Sequence, residues 1–220
     1  MVPVYPVVLF DFDGTLADSL PTSFDTFNRV AGRFGLEPMT REQAVALRQL
    51  DSRAIMKRLG GLIRSSRIMR AAKADFARHI HEVSPFPGVH DTVRQLRQAG
   101  CTLGILSSNE QQTIMAFLEQ HRMVEHFRVI ETGSPLFGKA PRLRRIRRQL
   151  RVEHSEVLYV GDETRDVQAA TKAGIAAAAV LWGANTREAL APFQPRHFLS
   201  QPEQLVDLVA PEPTSPQSPS

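Results

Sequence analysis

The sequence is poor in the features that mark several large classes of protein. It has one cysteine, Cys101, in 220 residues, which excludes a disulfide scaffold and points to a reducing compartment. The apolar setting of Cys101, between Ala99 and Leu106, reads as a buried structural thiol. No basic stretch or small-residue cleavage site opens the chain. The longest apolar run, Ile175 to Ala184, is far too short to span a bilayer. These absences place the chain in the cytoplasm, away from membranes. Aromatic residues make up only 7% of it, and none interleaves with the basic cluster Arg142, Arg144, Arg145, Arg147, Arg148 and Arg151. That cluster supplies most of a net charge of +4. It wraps a helix whose apolar stripe is Leu143, Ile146 and Leu150, so it reads as a solvated face rather than a nucleic-acid surface.

What is present is a strong organisation around one stretch, Val7-Val8-Leu9-Phe10-Asp11-Phe12-Asp13-Gly14-Thr15-Leu16. The β-branched run Val4 to Phe10 reads as a strand buried on both faces, as in a parallel sheet, and it delivers two acids to its carboxyl end. A calcium loop shares the letters D-x-D-G. It would need flanking helices and a Glu at its twelfth position, and here a strand precedes Asp11.

From about Ala17 to Ser84 the patterns are helical. Leu20 to Phe34 is closed by Gly35, and Thr40 with Gln43 forms a capping box for a helix reaching Leu50. A short helix is expected over Ser52 to Leu59 and a longer one over Ser65 to Val83. Ser84-Pro85-Phe86-Pro87-Gly88 breaks the pattern. Helix and strand then alternate: helix Val89–Ala99, strand Cys101–Leu106, helix Glu110–His121, strand Arg128–Glu131, helix Lys139–Arg151, strand Val157–Val160 and helix Thr164–Ala173. Ile175–Trp182 follows as a last central strand. This is α/β with a parallel sheet. Two short helices, Thr186–Leu190 and Gln201–Val209, and an edge strand near Phe198 complete it. The tail Pro211–Ser220 has nothing to bury and reads as disordered.

Four strand ends bear polar groups: Asp11 and Asp13; Ser107, Ser108 and Asn109; Lys139; Asp162 and Asp166. In an open α/β sheet these ends converge on one crevice. Carboxylates from two strands repel unless a hard cation such as Mg²⁺ sits among them. A serine hydroxyl, backbone amides and an ammonium beside that cation make a phosphate cradle.

The order DFDGTLADS, then Ser107, then Lys139, then Gly161-Asp162-Glu163-Thr164-Arg165-Asp166 resembles the four motifs of the haloacid dehalogenase-like superfamily of hydrolases. The helical insert resembles the cap of its phosphoglycolate phosphatase-like branch. So does the segment Trp182-Gly183-Ala184-Asn185-Thr186-Arg187-Glu188-Ala189-Leu190. The resemblance implies a Rossmann-like core over residues 1–16 and 85–210 and an all-α cap over 17–84. It implies Asp11 as nucleophile, Asp13 as general acid and base, and Lys139 as the cation that neutralises the transferring group. Ser107, Ser108, Asn109 and Thr15 would bind the phosphoryl group. Asp11, Asp13 and Asp162 would hold Mg²⁺, and Asp166 would support the metal's waters or orient Lys139. Relatives commonly carry a proline directly after the motif lysine, where this chain has Ala140. The dehalogenases of the superfamily lack an acid at the position of Asp13, so the chain looks built for phosphate esters.

Substrate choice belongs to the cap, with Arg48 and Arg53 as candidates to meet a polar leaving group. The expected partner is a small phosphorylated metabolite, and both monomer and homodimer remain open. Two other functions stand beside this one: a sugar-phosphate mutase of the β-phosphoglucomutase type, and a non-enzymatic binding module built on the Arg142–Arg151 helix.

Overall fold

The computed structural model describes residues 3–50, 54, 57, 62–133 and 138–209. Six parallel strands form one sheet in the order β3-β2-β1-β4-β5-β6. They are β1 (Val7–Phe10), β2 (Thr102–Ser107), β3 (Phe127–Thr132), β4 (Val157–Gly161), β5 (Ala176–Val180) and β6 (His197–Leu199). β1 lies between β2 and β4, with Val7 level with Thr102 on one side and Val157 on the other.

The near-continuous apolar character of β1 follows from burial on both faces. Val8 and Phe10 enter one hydrophobic cluster, and Val7 and Leu9 enter the other. All four side chains are at most 3% exposed, worth about 1.5–3 kcal/mol each in burial. The first face is covered by α4 (Val89–Gln98), α5 (Gln111–Gln120) and α9 (Gln204–Val209), the second by α6 (Ala140–Leu150), α7 (Thr164–Ala173) and α8 (Arg187–Leu190). Strand order reverses between β1 and β4, and at such a switch point α/β sheets open a ligand crevice at their carboxyl edge.

Helices α1 (Leu20–Ala31), α2 (Arg41–Leu47) and α3 (Leu62–Arg78) are described between β1 and α4. The Thr40 capping box is formed, with Gln43 N donating to Thr40 Oγ1 at 3.2 Å and Thr40 N to Gln43 Oε1 at 2.9 Å. α2 ends at Leu47, short of the Leu50 expected from sequence. Its last amides, Arg48 N and Leu50 N, bond three residues back to Val45 and Leu47, a tightened tail. Ala54 and Lys57 are helical; the rest of the Ser52–Leu59 helix, Arg53 and the tail Pro211–Ser220 lie outside the described residues. The helix expected over Ser65–Val83 starts earlier and ends at Arg78, with a 3-10 turn, Ile80–Glu82, after it. The strand expected over Ile175–Trp182 is shorter, Ala176–Val180, and is second from the sheet edge, because Ile175 N still bonds the helix carbonyl of Ala170. The edge strand near Phe198 is β6.

The arginine helix α6 is less freely solvated than its sequence suggests. Arg144, Arg145 and Arg148 are exposed, yet Arg144 donates to the Lys172 carbonyl and Arg145 pairs with Glu131. Arg142 donates to the Ser107 carbonyl at 3.2 Å and Arg147 to Val152 at 2.9 Å. Cys101 is fully buried and its thiol is pushed up to about 11 by that burial.

Candidate active site

β1 continues one residue past its end through the bond from Asp11 N to the Val160 carbonyl, 2.8 Å. The chain then turns back on itself, Leu16 N and Ala17 N both donating to the Phe12 carbonyl at 3.0 Å. Phe12 packs edge-on against Phe117 in the core, while Asp11 and Asp13 on either side of it reach polar partners. Gly14 allows this turn: its φ is +73°, and a Cβ there would stand 2.1 Å from Asp162 Oδ2.

Asp11 Oδ1 accepts from Phe12 N at 2.8 Å, and Asp11 Oδ2 pairs with Lys139 Nζ at 2.7 Å. Lys139, the residue before α6, also pairs with Asp166 Oδ1 at 2.6 Å. Asp166 is fixed in turn by its place in α7, where Glu163 N donates to its Oδ2 at 3.1 Å. The Tyr159 hydroxyl lies 3.3 Å from Asp166 Oδ1 and 3.2 Å from the Leu106 carbonyl. Asp162, at the end of β4, accepts from Thr15 Oγ1 at 2.9 Å and from Ala184 N at 2.7 Å. After β2, Ser107 Oγ accepts from Asn109 N at 3.0 Å, and Asn109 Nδ2 donates to Asp13 Oδ2 at 3.3 Å.

The structure thus brings Asp11, Lys139, Asp162 and Asp166 into one buried cluster. Thr15 joins it through Asp162, while the Asp13 carboxyl, not among the three grouped acids, bonds Asn109 of the Ser107–Asn109 turn. Oxygens of Asp11, Asp162 and Asp166 lie within 4.8 Å of one another. Burial pushes the Asp11 carboxyl up to about 7 despite the pull of Lys139. Burial also raises Asp13, and it drives Asp162 well above the ordinary range with the help of Glu163, Asp11 and Asp166. Lys139, which burial alone would lower, is held up by Asp11 and Asp166. Lys139 pairs with two of these three buried acids, Asp11 and Asp166, and the all-oxygen donor set of the three fits a hard divalent cation such as Mg²⁺.

Arg48 is placed differently from the other site candidates. Its guanidinium donates to the carbonyls of Gly183 and Ala184, at 2.8 and 3.1 Å, on the loop that follows β5.

Three groups near the site had no role in the sequence reading. Lys73, on α3, donates to the Ser108 carbonyl, and burial lowers its pKa against the influence of Glu110 and Asp13. A lone lysine on a helix gives no sequence signal of such a reach. Arg165 pairs with Glu163 at 2.7 Å and is raised by Glu163, Asp166, Asp11 and Asp162; its place inside the Gly161–Asp166 motif was the available clue. Asn185 is 4% exposed and accepts from Thr164 N at 3.0 Å, which holds the start of α7.

Residues 8–180 match the family described as haloacid dehalogenase-like hydrolase. The chain belongs to that family. A phosphoglycolate phosphatase of Synechococcus elongatus is 38% identical over 203 residues, covering 92% of this chain and 96% of the relative. A phosphoglycolate phosphatase of Xanthomonas campestris is 31% identical over 183 residues, covering 80% and 83% respectively. A solved haloacid dehalogenase-like hydrolase from Streptococcus pneumoniae superposes with a TM-score of 0.80 at 20% identity, covering 92% of this chain and 97% of that one, a likeness of fold. As a member of that family, the chain is a hydrolase. Among the described residues, no helix is long and apolar enough to cross a membrane.

Proposed function

We propose that this hydrolase is a Mg²⁺-dependent phosphatase of small phosphomonoesters, phosphoglycolate foremost, working through an aspartyl-phosphate on Asp11. The observation that carries the reading is the Asp11 carboxylate at the switch point, oriented by Phe12 N and paired with Lys139 at 2.7 Å. The relatives named phosphoglycolate phosphatase supply the substrate class.

Asp11 attacks phosphorus, forming the Asp11 O–P bond as the P–O bond to the leaving alcohol breaks. Asp13, whose carboxyl is raised by burial, delivers a proton to that leaving oxygen. The resulting Asp13 carboxylate then takes a proton from the water that attacks phosphorus, which breaks the Asp11 O–P bond and frees phosphate. Lys139 offsets charge on Asp11 and on the transferring group, and Asp166 and Tyr159 keep its ammonium aimed. Ser107, Ser108, Asn109 and Thr15 are the groups read as binding the phosphoryl oxygens. Asp11, Asp162 and the Asp13 carbonyl are the groups that would hold Mg²⁺, with Asp166 behind them; when bound, the ion offsets the negative charge of the phosphoryl group. The helical segment 17–84 serves as the cap over this crevice, with Lys73 as the cation it brings to the Ser108 side.

A phosphate-release assay over small monoesters, with and without Mg²⁺, tests the proposal. Phosphoglycolate should be among the best substrates, and release should stop on chelation and in Asp11→Asn. Equal inactivity of wild type and variant on every ester would overturn it, and a requirement for a sugar bisphosphate would favour the mutase.

A further inference from the structure

The loop from Gly183 to Thr186 touches the helical insert on one side and Asp162 on the other. On the insert side, the guanidinium of Arg48 donates to the Gly183 and Ala184 carbonyls. The loop answers with Asn185, whose Nδ2 donates to the carbonyls of Arg48 at 2.9 Å and Leu50 at 3.1 Å. Thr186 N adds a bond to the Arg48 carbonyl at 3.2 Å. The tightened tail of α2 leaves these carbonyls facing the loop rather than inside a helix.

On the core side, Ala184 N donates to Asp162 Oδ2 at 2.7 Å and Asn185 N to the Asp162 carbonyl at 3.2 Å. Asn185 Oδ1 accepts from Thr164 N, the first residue of α7. A Cβ on Gly183 would fall 2.3 Å from both Asp162 Cβ and the Gly14 carbonyl, so the loop is pressed against the acid itself. The buried Asn185 amide thus splits its bonds between insert and core. Loss of the Arg48 guanidinium would leave two carbonyls of this turn without their donor and loosen the amide that aims the Asp162 carboxylate.

We propose that Arg48 and Asn185 are positioning residues that couple the seating of the helical insert to the orientation of Asp162, and through it to divalent-cation affinity. The inference rests on reading Asp162 as a Mg²⁺ ligand. It assigns Arg48 to the loop rather than to the leaving group of the substrate.

The test is titration of Mg²⁺ alone, by calorimetry and by fluorescence of Trp182, the single tryptophan, whose indole N–H bonds the Thr15 carbonyl at 3.1 Å. Removing the groups that orient a metal ligand commonly weakens the metal ~10–100-fold. Asn185→Ala should fall within that range, and Arg48→Met near its lower end, about tenfold. Arg48→Lys, which keeps one donor, should recover part of the loss. The double variant should be no weaker than the worse single one, since both act through one loop. Should Asn185→Ala fail to fold, the Arg48→Met and Arg48→Lys pair decides. Mg²⁺ affinity in Arg48→Met within about twofold of wild type, with a raised KM for phosphoglycolate, would overturn the coupling and return Arg48 to substrate binding. No Mg²⁺ response from wild type would overturn the metal reading itself, and the coupling with it.

Discussion

Asp75 in the helical insert and Asp162 in the core are both buried aspartates, 4% and 1% exposed, and their surroundings push them in opposite directions. Asp75, on α3, faces Arg29 of α1, and burial alone would raise it. Arg78 and Arg29, each at 2.7 Å, hold it below the ordinary range. Among the described residues no cation forms an ion pair with Asp162; burial and three neighbouring acids drive it well upward. The insert balances its buried charge, as a structural element does. The core leaves charge unbalanced where a cation and a phosphoryl group would meet it.

The sharpest way to break this comparison is Asp11→Asn. It should lower phosphate release by ~10⁴-fold or more, as loss of a nucleophile does, while the thermal midpoint of the metal-free protein holds or rises. A collapse of the fold would mean that the core acid is structural after all. Gly14→Ala comes next, since it forces a Cβ into Asp162 at a φ of +73°. It should abolish Mg²⁺-dependent turnover. Gly100→Ala, at φ +90° with open space around it, should cost only about 1 kcal/mol of backbone strain, measured by denaturant unfolding, and leave turnover intact.

pH separates the two acids by sign. Asp11, with its carboxyl raised from 3.8 to about 7, binds more protons folded than unfolded across that window. Its contribution to stability is therefore present below the window and lost as pH rises through it. Metal-free protein should lose thermal midpoint between about pH 4 and about pH 7, less so in Asp11→Asn, and Mg²⁺ should restore it most at the alkaline end. Asp75, held low, behaves oppositely: its contribution is present above 3.8 and disappears as pH falls through its lowered value. Asp75→Asn should blunt that acid-side loss and cost about 1 kcal/mol at neutral pH, discounted because Arg29 and Arg78 are 38% and 64% exposed. The smallest effect belongs to Arg148→Ala, on the exposed side of α6, which should stay within about 0.5 kcal/mol and leave turnover unchanged.

The parallel sheet and the order of its helices were legible in the sequence because each rests on local pattern. β1 is an unbroken apolar run, and α7 is bounded by an acidic cap and Gly174 at φ +75°. The strand ends that present Asp11, Ser107 and Asp162 could be located for the same reason. What sequence did not disclose depends on partners far along the chain. The reach of Lys73 to Ser108 and the hold of Arg48 on Gly183 are set by packing, whereas the pairing of Lys139 with Asp11 and Asp166 was already implied by the family resemblance. Just past the end of α2 the carbonyls of Arg48 and Leu50 are taken by Asn185, another partner far along the chain.

The central place of β1 in the sheet also bears on how the protein is made. Val7 finds one neighbour at Thr102 and the other only at Val157, so the first strand synthesised must wait through most of translation for its second partner. Pairings this distant in sequence close slowly, and until β4 arrives β1 offers an unpaired apolar edge. A ribosome-bound fragment ending before β4 should therefore be prone to chaperone capture and aggregation, and completion of β4 should both bury that edge and bring Asp162 to Asp11 in a single event.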